Sequence, residues 1–114
     1  MRWSVFCQAL LSYGITRRLE RTTIRALTRA GHSVVVVAGA PPAFAGEADA
    51  CGAQAVIQIP LPTWGRLDGA CAWEAYVAGA AAPATAACLA AFAPEAALSV
   101  DWHGWAACEA AFPD

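Results

Sequence analysis

The 114 residues suffice for one small domain, and an apolar share of 59% gives the chain a core and argues against disorder. The formal net charge of −2 offers neither nucleic acid nor an anionic membrane a bulk electrostatic hold. The five cysteines are odd in number and contain no CxxC pair, which speaks against a disulfide framework or a zinc ribbon. They read instead as small apolar fillers in a reducing compartment, and so as a cytoplasmic protein.

The first forty residues form one strand–helix–strand pattern. Trp3-Ser4-Val5-Phe6-Cys7 is a short apolar strand, followed by a loop from Gln8 to Thr16. Met1-Arg2 and the apolar Trp3–Leu11 stretch have the outline of a signal peptide, but the segment runs on into the helix without a clear cleavage site. A helical pattern covers Arg17–Ala30, with Thr16 as N-cap and Gly31 just past the end. Leu19, Thr23, Ala26, Leu27 and Ala30 share the face expected on the sheet. Arg17, Arg21, Arg25 and Arg29 form a stripe elsewhere on the helix, either a solvated face or a contact for an anionic surface such as a membrane periphery. Ser33–Gly39 contains four consecutive valines, the signature of a strand buried on both faces of a parallel sheet.

Gln54–Ile59 reads as a third strand. Pro60 and Pro62 then open a loop carrying Trp64, Arg66 and Asp68. An alanine-rich helix follows from about Ala70 to Ala82, and Pro83 starts another toward Phe92. The alanine run from Ala75 to Ala93 is interrupted and weakly hydrophobic, so no membrane span is expected. Ala97–Val100 reads as a fourth strand, Asp101–Gly104 as a loop, and Trp105–Ala111 as the start of a helix. This final helix is short, and the chain reads as one domain, 1–114, incomplete at its C-terminus. The fold class expected is α/β, a Rossmann-like parallel sheet of about four strands with flanking helices.

In such a sheet the loops leaving the strands share one edge, where ligands bind. The candidates there are Ser12, Tyr13, Gly14, Gly39, Trp64, Arg66 and Asp68 for binding, with Asp101 and His103 for catalysis. A carboxylate two residues from an imidazole serves as a base or orients a sugar hydroxyl; equally, His103 bonds backbone in a tight loop and Asp101 caps the next helix. Tyr13-Gly14 precedes a helix N-terminus suited to an anion, or is an ordinary loop. Trp64 stacks on a sugar or base, or covers the sheet edge, and Arg66 and Asp68 pair with each other at the surface. His32, at a helix end, reads as structural. One histidine with scattered acids does not form a metal site, and no metal or cofactor is expected. A nicotinamide-type oxidoreductase is a weaker reading. The Gln8–Thr16 loop holds one glycine where G-x-G-x-x-G is needed, and the second strand ends in Val37-Ala38-Gly39 without an acid.

Two blocks resemble a known family. Tyr13-Gly14-Ile15-Thr16-Arg17-Arg18-Leu19-Glu20, continuing through Ile24–Gly39, resembles the opening of family 4 glycosyltransferases, with its glycine loop, "RAL…GH" helix end and valine-rich strand. Val100-Asp101-Trp102-His103-Gly104 is similar to the "HDWH" segment of glycogen and starch synthases, with Val100 where those enzymes often have histidine. The resemblance implies the N-terminal, acceptor-side half of a GT-B enzyme, which transfers sugar from a nucleotide-sugar co-substrate to a glycan or other acceptor. It implies that the donor-binding half, with its paired glutamates, lies outside this sequence, and that this half alone is inactive. It also implies that Tyr13 and Gly14 approach the donor phosphates, although the family's usual double glycine is single here. The alternative is a non-catalytic module that binds a sugar or a protein.

Overall fold

A computed structural model describes residues 1–7, 15–39, 52–59, 69–100 and 102–113; for residues 15–18, 20, 69–73, 102 and 103 it describes the backbone alone. The elements in chain order are β1 (Arg2–Cys7), α1 (Ile15–Arg29), β2 (Ser33–Gly39), β3 (Ala55–Ile59), α2 (Gly69–Ala80), α3 (Pro83–Phe92), β4 (Ala96–Ser99) and α4 (Trp102–Ala111). The strands form one sheet in the order β3-β2-β1-β4, and every pairing is parallel. The α/β, Rossmann-like expectation therefore holds.

The valine run explains the centre of the sheet. Val34, Val35, Val36 and Val37 are all buried, alternating between two cores. Val34 and Val36 join Val5, Cys7 and Ile24 beneath α1. Val35 and Val37 join Phe6, Tyr76, Ala80, Leu89 and Ala107 beneath α2, α3 and α4. A β2 strand covered by helices on both sides has no need of polar alternation.

The first helix starts and stops as its residues dictate, but it is rotated from the expected face. Gly31, at φ +89°, takes the left-handed position after the helix. Its N–H donates to the Thr28 carbonyl at 3.1 Å and the His32 N–H to the Leu27 carbonyl at 3.1 Å, a Schellman stop. Ile15 is already helical, so Thr16 lies inside the helix rather than capping it. Leu19 is 53% exposed, and Ala26 and Ala30 face solvent. The buried centre is Ile24, with Leu27 packed beside it. Burying a whole isoleucine side chain is worth about 1.5–3 kcal/mol, more than alanine or threonine offers, so Ile24 sets the helix rotation.

Alanine shapes the second face. Small side chains let α2 approach the sheet so closely that a Cβ at Gly79 would overlap Ile59 Cγ2. Thr85 Oγ1 donates to the Gly79 carbonyl at 2.6 Å and ties α3 to α2. Pro83 occupies the first turn of α3, and Ala82 ahead of it is extended, as a residue before proline must be. Among the described residues no single helix is long and apolar enough to cross a membrane. The bent pair Glu74–Ala80 and Pro83–Phe92, which turns by 54°, has that composition but buries Tyr76, Ala80 and Leu89 in the core.

Two boundaries differ from expectation in a way that matters. β4 starts at Ala96, and α4 starts at Trp102 rather than Trp105. His103 and Gly104, expected in a loop, are in the first turn of a helix.

Candidate functional site at the strand ends

The pairing register places the last residues of all four strands on one rim. Cys7 lies opposite Ala38, one residue before the end of β2; Gly39 lies opposite Ile59; and Phe6 lies opposite Ser99. Beyond β4 the Val100 N–H still reaches the Phe6 carbonyl, at 3.4 Å, so the chain follows β1 to the edge of the sheet. From β1 the chain winds outward through β2 to β3, then returns to β4 on the other side of β1. The reversal falls between β1 and β4, the place where open parallel sheets form a ligand crevice.

The helices that follow β1 and β4 run back against the strands. α1 ends beside the start of β2, and α4 carries Ala107, Cys108 and Ala111 back over the core. Their N-termini accordingly belong to the rim. Neither has an acidic residue in its first turn, and the first turn of α1 contains Arg17 and Arg18 in its sequence. The positive end of the α1 dipole, with Arg17 and Arg18 in that turn's sequence, favours an anion at this rim, while Asp101 directly precedes α4 in sequence.

Of the residues singled out from sequence, Gly39 is at this rim, buried at the end of β2. His103 is in the first turn of α4, directly after the switch-point strand. Ser12, Tyr13, Gly14, Trp64, Arg66, Asp68 and Asp101 lie outside the described residues. His32 is at the opposite end of the sheet, its ring edge-on to Trp3 with centroids 6.0 Å apart. Among the described residues no three His, Cys, Asp or Glu side chains come together as a metal-binding group.

At the strand-start end, between β4 and α4, lies a cavity of about 310 Å³. Its outer wall is Trp105, Cys108 and Glu109 of α4 with Phe112 just past the helix end, and its floor includes Ser4 and Ala97, which are register partners on β1 and β4. The i, i+3, i+4, i+7 spacing of the wall residues is the sequence signal that marks one helix face. Burial pushes the Cys108 thiol above its usual range, and the neighbouring Glu109 carboxylate adds to the shift.

No protein-family model matches the chain, and neither a curated protein nor a solved structure matches it.

Proposed function

We infer that the chain is the acceptor-side, Rossmann-like unit of a glycosyltransferase of GT-B architecture. In this reading a nucleotide-sugar and its acceptor meet over the rim between β1 and β4. The observation that carries it is the switch point between β1 and β4, where α1 opens without an acid in its first turn and with Arg17 and Arg18 in that turn's sequence. A diphosphate is the part of a nucleotide-sugar that such a site would hold. The resemblance of residues 13–39 and 100–104 supports the same reading.

The roles follow from chain position. The segment after β1, with Ser12, Tyr13 and Gly14, approaches the phosphates. Asp101 and His103, after β4, contact sugar hydroxyls, with the His103 imidazole as the general-base candidate. Gly39, Trp64, Arg66 and Asp68 border the acceptor. The reaction moves a glycosyl group from the nucleotide to an acceptor hydroxyl, which loses its proton, while the nucleoside diphosphate leaves. It needs a second Rossmann-like unit to hold most of the donor.

The test is to express the whole reading frame that contains these residues and assay it with UDP-glucose and GDP-mannose. The expected result is a second parallel-sheet unit bearing paired glutamates, and release of nucleoside diphosphate that falls when His103 is changed to Ala. A reading frame without such a unit contradicts the proposal.

A further inference from the structure

The cavity between β4 and α4 exists because small side chains face large ones. Ser4 and Ala97 lie side by side on the sheet, and the Ser4 hydroxyl donates to the Ala96 carbonyl at 3.3 Å. Two residues further along the same face, Phe6 fills the space and meets Phe112 edge-on at 6.0 Å. Below that contact the sheet surface is too low to reach α4, and about 310 Å³ stays open. That is the lower end of the range for small-molecule pockets, ~300–1,000 Å³.

The lining defines the chemistry. Trp105, 61% exposed, and Phe112, 39% exposed, stand at the mouth as aromatic surfaces. Two carboxylates border it. Glu95 is engaged by Arg2, with Nη2 3.5 Å from Oε1. Glu109 has no ion pair or hydrogen bond among the described residues. Among these three described side chains, Arg2 offsets Glu95 and the Glu109 charge is left over. The Cys108 thiol stays uncharged at neutral pH and so adds apolar wall rather than a second anion. Aromatic faces beside an unpaired carboxylate and an apolar floor fit a cation with an apolar body.

We propose that this cavity binds a small organic cation, a substituted ammonium with an aromatic or branched aliphatic body, held between Trp105 and Phe112 with its charge beside Glu109. The site lies at the strand-start end of the sheet, opposite the rim where the strands terminate, and does not depend on the sugar-transfer reading.

The test is a titration of the ¹⁵N-labelled chain with benzyltrimethylammonium chloride, followed by amide shifts. Benzyl alcohol and benzenesulfonate serve as neutral and anionic probes of similar size. The expected result is saturable shifts confined to residues 94–97 and 105–112, with a Kd in the order of 0.1–1 mM. Both comparison probes should bind about tenfold more weakly, and E109Q and W105L should each weaken the ammonium about fivefold. E109Q exchanges one exposed helix former for another, so it reports on charge without a folding penalty. Equal affinity for the three probes, unchanged affinity in E109Q, or no shift at about 10 mM ammonium each overturns the proposal.

Discussion

The Tyr76 hydroxyl donates a hydrogen bond of 2.7 Å to the Val37 carbonyl, and both residues are fully buried. This bond joins the middle of α2 to β2 two residues before the strand reaches the rim at Gly39. A phenol inside a core needs a partner for its O–H, and a main-chain carbonyl supplies it. The position of the helix over the sheet is thereby fixed by a specific contact as well as by apolar packing.

Tyr76→Phe keeps the ring and removes the bond. The expected cost is about 1–2 kcal/mol, read as a lower urea midpoint with unchanged slope. Tyr76→Ala opens a cavity and should cost about 3–5 kcal/mol.

The close approach of α2 to β3 gives a paired prediction. Gly79→Ala improves helix propensity by about 1 kcal/mol. It nevertheless drives a methyl into Ile59, with an expected net loss of about 1–3 kcal/mol. Ile59→Ala should relieve that clash, so the double variant should be more stable than the sum of the two singles implies, by about 1 kcal/mol or more. Simple additivity in denaturant unfolding would show that the two residues do not meet.

At the end of α3, Ala93 sits in the left-handed region at φ 55° and its N–H closes on the Leu89 carbonyl at 2.8 Å. Arg2 also reaches the Ala93 carbonyl, Nε to O 2.7 Å. An L-residue in that conformation costs about 1–2 kcal/mol, part of which glycine avoids. Ala93→Gly should raise stability by about 0.5–1 kcal/mol, and thermal unfolding should show a higher Tm.

Thiol chemistry reports on burial. Cys88 is exposed, Cys108 is half-buried and Cys7 is buried. Iodoacetamide at pH 8 should modify Cys88 before Cys108 and leave Cys7 untouched until the protein unfolds, as peptide mass spectrometry can resolve. Glu109→Gln removes the negative neighbour and should speed Cys108 modification. For a thiol, a raised folded value means the fold prefers the neutral form. Stability is therefore unaffected below the unfolded thiol pKa and falls as pH rises above it toward the folded value. A midpoint that rises with alkaline pH would contradict this placement of Cys108.

The sheet was readable from sequence because its centre is a run of valines, which suits no exposed or one-sided element. Gly31 and Pro83 were equally plain, since each allows few backbone conformations. The facing of α1 is not legible from spacing alone, because spacing gives alanine and threonine the same weight as larger side chains. Ile24 alone outweighs them in buried area. The start of α4 lies three residues before the Trp105 that composition suggests, because Asp101–Gly104 reads as a loop on composition, whereas Trp102 and His103 are tolerated in a first turn. The rim followed from strand direction, which the valine run implied. The β4–α4 cavity did not, because it arises from what Ser4 and Ala97 fail to fill, and only the register of two distant strands brings those residues together.

Sugar transfer at this site requires a ligand on the strand-end rim between β1 and β4. The direct measurement is a ¹H–¹⁵N titration of these residues, labelled within the whole reading frame that contains them, with UDP-glucose, GDP-mannose and a panel of oligosaccharides. The expected result is that at least one of these shifts the amides of Cys7, Gly39, Ser99 and Val100 together with the opening turns of α1 and α4. Shifts restricted to the strand-start end, at residues such as Met1, Ser33 and Ala96, or no shift with any of these ligands, would contradict it.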